Sequence, residues 1–111
     1  MKIVVSVCLL LMSLGANAAG YIVTDGEITQ LYNTESNTKS FGMRVVGSGG
    51  DCEGKDIFFP LSHAGASGND VDLHNRAYST ALTALSTGMK VDIYNYADDS
   101  CVYASFIRIK K

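Results

Sequence analysis

The segment "GGDCEGK" sets Gly49, Gly54 and Lys55 in the G-x-x-x-x-G-K spacing of a loop that cradles phosphates. That chemistry also needs a hydroxyl after the lysine, to reach magnesium, and a helix opening toward the phosphates. Asp56 follows instead and the next residues, "IFFPL", read as strand, so no phosphate site is expected. His63 and His74 lack metal-ligand spacing and read as surface histidines. The acidic pairs Asp51/Glu53 and Asp98-Asp99 offer oxygens to a calcium ion, but neither follows an established calcium loop, and both read as solvated turns. Serines are plentiful, yet none sits in a nucleophile-turn sequence with a base and an orienting group. No catalytic residue, metal or cofactor is therefore expected, and the chain is read as a non-enzyme.

The aromatic supply points elsewhere. Tyr21, Tyr32, Tyr94, Tyr96 and Tyr103 all fall on predicted strands, beside Thr24, Asp25, Asn33 and Asn95. Ring faces next to amides and carboxylates are the materials of a sugar-binding surface. The competing reading is that tyrosine is simply a preferred strand residue whose hydroxyl tolerates the rim of a core.

These side chains need a scaffold, and the two ends of the chain bound it. "MKIVVSVCLLLMSLGANAAG" combines Lys2, an apolar run from Ile3 to Leu14 and the small-residue exit Ala16-Asn17-Ala18. That pattern reads as a secretory signal peptide over residues 1–18, cleaved after Ala18. The run is shorter than the roughly 20 residues needed to span a bilayer, so no membrane span is expected in the mature chain. The single exported domain then covers residues 19–111, in the periplasm or outside the cell. Losing Lys2 leaves 8 of the 9 basic residues against 11 acidic ones and moves the formal charge from −2 to −3. The terminal "RIKK" is the one basic cluster and reads as a solvated tail, so no nucleic-acid footprint is present. Cleavage also removes Cys8. Cys52 and Cys101 remain, an even pair that reads as a disulfide in an oxidising compartment, with two free thiols as the alternative.

Along the mature chain, Tyr21–Thr24 and Ile28–Tyr32 read as two β-rich halves around an Asp25-Gly26 hairpin or bulge. "FGMRVV" alternates Phe41, Met43 and Val45 against Gly42, Arg44 and Val46, and "IFFPL" reads as a short, largely buried strand that Pro60 either stops or places at an edge. A helix is expected from about Val71 to Thr87, with Asn69 or Asp70 as N-cap and Gly88 at the C-terminal end. Its apolar stripe carries Leu73, Ala77, Ala81 and Ala84 or Leu85, joined by Tyr78 and Leu82. The alanines read as a close-approach face. "KVDIYNY" and "CVYASFIRI" supply the last two strands. Five strands with one helix between the third and fourth give an α+β fold, either a small barrel of the oligosaccharide- and oligonucleotide-binding type or a curved antiparallel sheet.

With its signal sequence, "GEITQLYNT", "RAYSTALTALSTGMKVDIYNY" and "SCVYASFIRI", the chain resembles an uncharacterised family of small secreted bacterial proteins. More distantly it is similar to the B subunits of subtilase-cytotoxin and pertussis-like toxins. The distant resemblance implies a barrel that assembles into a homo-oligomeric ring and binds a cell-surface glycan. It implies a ligand contact near Thr24, with Asp25 and Tyr32 as neighbours. The expectation is an exported binding or assembly module; the alternative is a structural or envelope-associated protein making protein contacts alone.

Overall fold

The computed structural model describes residues 20–34 and 39–111; the expected signal peptide lies outside them. The strands are β1 (Gly20–Asn33), β2 (Ser40–Val46), β3 (Asp56–Pro60), β4 (Lys90–Asn95) and β5 (Phe106–Lys110), and the helix α1 (Val71–Thr87) falls between β3 and β4. All pairings are antiparallel, in the order β3-β2-β1-β4-β5. The ladders leave β3 and β5 as edges, so the α+β expectation holds in its open, curved-sheet form. Two backbone bonds tie β3 to the segment that precedes β5: Phe58 N–H donates to Cys101 O at 2.9 Å, and Ala104 N–H to Phe58 O at 3.0 Å.

The two expected halves of β1 are one strand of 14 residues. Asp25-Gly26 is a bulge: the register against β4 slips between Val23 and Gly26, and Asp25 takes a left-handed φ of 56°. Two further slips adjust β1, one against β4 between Tyr21 and Val23 and one against β2 between Ile28 and Gln30. At the bulge the Asp25 N–H leaves the ladder and donates to Asp92 Oδ1 at 2.9 Å.

Period-two alternation then places the core. Phe41, Met43 and Val45 of β2 are buried with Ile57 and Phe59 of β3, Val91 and Ile93 of β4, and Val23 and Ile28 of β1. The last strand starts five residues later than "CVYASFIRI" suggests. Asn95 is the reason: its Oδ1 accepts from the Ala97 and Asp98 N–H groups, and its Nδ2 donates to Asp98 Oδ1 and Ser100 O. That wrapped turn delivers residues 101–104 to Phe58, and the chain joins β4 only from Phe106.

The helix keeps its expected bounds because its caps are chemically specified. The Asp70 carboxylate accepts from the Leu73 N–H at 3.0 Å, and Gly88 adopts φ 74° while its N–H reaches Ala84 O. Its buried residues are Ala77, Ala81 and Ala84, whereas Leu82 and Leu85 are exposed. Small side chains let the backbone approach the sheet closely, which turns the leucine positions outward. On the solvent side the hydroxyls of Ser79, Thr80, Thr83, Ser86 and Thr87 each donate to the carbonyl four residues back, at 2.8–3.1 Å.

Cys52 and Cys101 form a disulfide across 49 residues, as their even count implies. It ties the loop before β3 to the segment before β5. Replacing both by alanine is expected to lower the unfolding free energy by about 4 kcal/mol, the chain-entropy value for a loop of this length. Equilibrium urea unfolding of the double variant measures the loss.

Candidate functional site

Sheet register gathers aromatic groups on the outer face of β1, β4 and β5. Tyr21 pairs with Tyr94, and Tyr94 with Phe106, so three rings from three strands stand in one row across the sheet. Tyr21 and Tyr94 meet edge to face at 4.9 Å between centroids, and Tyr96, two residues further along, lies 4.8 Å from Tyr94. The row is open to solvent: Tyr21 is 49 % exposed, Tyr96 61 % and Phe106 36 %. The Arg108 guanidinium lies 5.4 Å from the centroid of the Tyr21 ring, within cation–π range.

The adjoining row is charged. Asp92 shares the outward parity of Tyr94, yet its side chain is 1 % exposed because its partners cover it. Arg108 Nε and Nη2 donate to Asp92 Oδ2 at 3.1 and 2.6 Å, Lys110 Nζ lies 3.0 Å from the same oxygen, and the Asp25 N–H holds Oδ1. Lys110 also reaches the Asp25 carboxylate at 2.6 Å. Burial alone would raise the Asp92 pKa, but the Asp25 amide, Arg108 and Lys110 together outweigh it and lower the value to about 2. Arg108 and Lys110 are thus strand residues locked to a carboxylate rather than a solvated tail. The signal for this was the β4–β5 pairing, which sets Asp92 opposite Arg108.

Of the three residues singled out in the sequence, the fold keeps two together. Thr24 is exposed on β1, and Asp25 beside it forms the bulge against the charged row. Tyr32 lies seven residues further along β1, about 20 Å away in an extended strand. It belongs to a second cluster: its hydroxyl donates to Asp56 Oδ1 at 2.6 Å, and Arg44 Nε holds the same oxygen at 3.0 Å. Burial, followed by the bond to the Asp56 carboxylate, pushes the Tyr32 phenol up to about 12. The Tyr32 ring lies over Gly42, its partner on β2, where a Cβ would stand 2.6 Å from the ring carbons.

The remaining candidates are engaged within their own loops. The Glu53 carboxylate accepts from the N–H groups of Gly47, Ser48 and Gly49 at 3.0–3.2 Å, so an acidic residue inside the phosphate-loop lookalike folds back on the amides at its start. These bonds, with that from Gly47 foremost, lower the Glu53 pKa. Asp98 accepts from the Ser100 N–H and from Asn95. His63 stacks on Tyr103 at 4.3 Å. His74 is more than a surface residue: its Nε2 donates to the Phe59 carbonyl at 2.8 Å, joining α1 to β3. Among the described residues no group of three or more His, Cys, Asp or Glu is placed to hold a metal ion.

The Asp92 pKa lies below its ordinary value of 3.8, so its stabilisation is complete above about pH 4 and is lost as pH falls toward 2. The shift corresponds to stabilisation on the order of 2 kcal/mol. Asp92→Asn is expected to lower stability at pH 7 and to flatten its dependence between pH 4 and 2, read from urea midpoints along that pH series.

No curated protein and no solved structure matches the chain. One family does, over residues 2–111, and its description is "Family of unknown function (DUF5992)". The fold and the paired aromatic and charged rows thus describe a chain that belongs to that family of unknown function.

Proposed function

We propose that the chain is an exported, non-enzymatic binding module whose β1–β4–β5 face takes a glycan. The observation that carries this reading is the in-register row Tyr21–Tyr94–Phe106, set beside Arg108, Lys110 and Asp25. Aromatic rings offer flat apolar faces to the C–H faces of a pyranose, while fixed polar side chains at the edge of the row offer directional hydrogen bonds. The side chains are held before any ligand arrives, which limits the ordering cost of binding. Export is supported by the signal-like leader and by the disulfide, which suits an oxidising compartment. The resemblance to toxin B subunits favours the same ligand class and adds assembly into a ring.

A glycan array probed with the mature protein tests this. Binding is expected to one class of glycan, weakened at least about tenfold by Tyr21→Ala and by Tyr96→Ala, the order expected for losing an aromatic anchor. Tyr32→Phe, in the separate cluster, leaves it unchanged. An array without a hit, or binding indifferent to both alanine variants, excludes the assignment.

A second reading, protein contact through α1, is favoured by Val71, Leu82 and Leu85, which are 55 %, 46 % and 36 % exposed on that helix. It predicts an oligomer by light scattering that Leu82→Glu dissociates. A wild-type monomer at all concentrations rejects it.

A further inference from the structure

A cavity of about 540 Å³ opens where Tyr96 and Phe106 leave the aromatic row, and both residues line it. Its other walls are Leu73 of α1 and Ala66 in the loop before the helix. Two polar side chains also line it, Asp70 from its exposed rim and the buried Ser105. Asp70 caps the helix through the Leu73 N–H, and Ser105 donates to the His63 carbonyl at 2.7 Å. A narrower cavity of about 130 Å³ shares Leu73, Ser105 and Phe106 with the first, adds Ala77 and Ile107 along the α1–β5 seam, and has the exposed Arg76 at its rim. Thr80 borders it, with its hydroxyl bonded back to Arg76 O. Together they form a tapering, largely apolar slot whose wide end adjoins the aromatic face.

From this continuity we infer that the ligand is an amphiphilic glycoside: its sugar lies on the aromatic row, and a single unbranched apolar chain on the anomeric oxygen enters the slot. The inference rests on the glycan reading for its sugar half alone. Asp70 and Arg76 are exposed and stand at the rims, so between them a hydroxylated occupant would lie mainly against Leu73, Ala77, Ile107 and the Phe106 ring and would lose its hydration there without replacement. A hydrocarbon chain loses nothing of that kind, and burying even two or three methylenes raises affinity at least about tenfold. The taper selects a linear chain over a bulky ring.

The probes are octyl β-glucoside, below its micelle concentration, and methyl β-glucoside, which has the same sugar without the chain. Binding is followed by NMR shifts of the Leu73, Ala77 and Ile107 methyl groups in the mature protein. The octyl compound is expected to shift these methyls and to bind at least tenfold more tightly than the methyl compound. Ala66→Trp, at an exposed loop position, is expected to abolish that advantage while leaving the melting temperature unchanged. Octyl glucoside that leaves these methyls unmoved, affinity equal for the two glucosides, or a chain effect that survives Ala66→Trp overturns the inference. Tyr21→Ala separates the two halves. If it leaves octyl binding unaltered while Ala66→Trp removes it, the slot stands and the glycan reading falls.

Discussion

Asp92 carries a full charge at a site that water barely reaches, and the β4–β5 half of the structure is organised around that constraint. A lone carboxylate buried this deeply would take up a proton or unfold its surroundings. It is kept ionised by three donors from two strands: the Asp25 amide of β1, and Arg108 and Lys110 of β5. Each donor imposes a geometric demand. The amide becomes available only because β1 bulges at Asp25-Gly26, and the two cations line up only because β5 pairs with β4 in one register. A slip of one residue would turn Arg108 and Lys110 to the other side of the sheet and replace them with Ile107 and Ile109. The same slip would break up the row of Tyr21, Tyr94 and Phe106. One ion cluster therefore guards both the register and the aromatic face.

Local chemistry made some of this legible in the sequence. The helix bounds follow from Asp70 and Gly88, whose roles depend on neighbours a few residues away, and the disulfide follows from counting cysteines. The alternation in "FGMRVV" places Phe41, Met43 and Val45 inside with no knowledge of the partners. What stayed hidden depends on contacts distant in sequence. Asp92 has the outward parity of an ordinary solvated residue, and its burial emerges only when β1 and β5 close over it. The late start of β5 was concealed for a related reason, since "CVYASFIRI" has strand-like composition throughout but its first part is captured by Phe58. Leu82 and Leu85 look like core by hydrophobicity, yet the approach distance that suits Ala81 leaves them no room inside.

The candidate residues divide along the same line. Thr24 and Asp25 were legible as neighbours because they adjoin in the chain, and the fold sets them beside the charged row. Tyr32 shares their strand but not their surroundings: its ring fills the space that Gly42 leaves on β2, and its hydroxyl completes the Arg44–Asp56 pair. A long strand joins residues in sequence while separating them in space. The outer surface of the sheet consequently carries two polar–aromatic clusters, one on each half, with β1 common to both.

The hydroxyls along α1 give the helix a surface character that its composition conceals. Five serines and threonines on the solvent side would ordinarily offer both donors and acceptors to whatever lies nearby. Here every one of the five protons points back into its own helix, at the carbonyl one turn behind. What these side chains turn outward is lone pairs and, on the threonines, methyl groups. Beyond the exposed Asn75 and Arg76 of the first turns, this stripe of hydroxyls accepts without giving, and a neighbour that settles on it must bring the hydrogens itself.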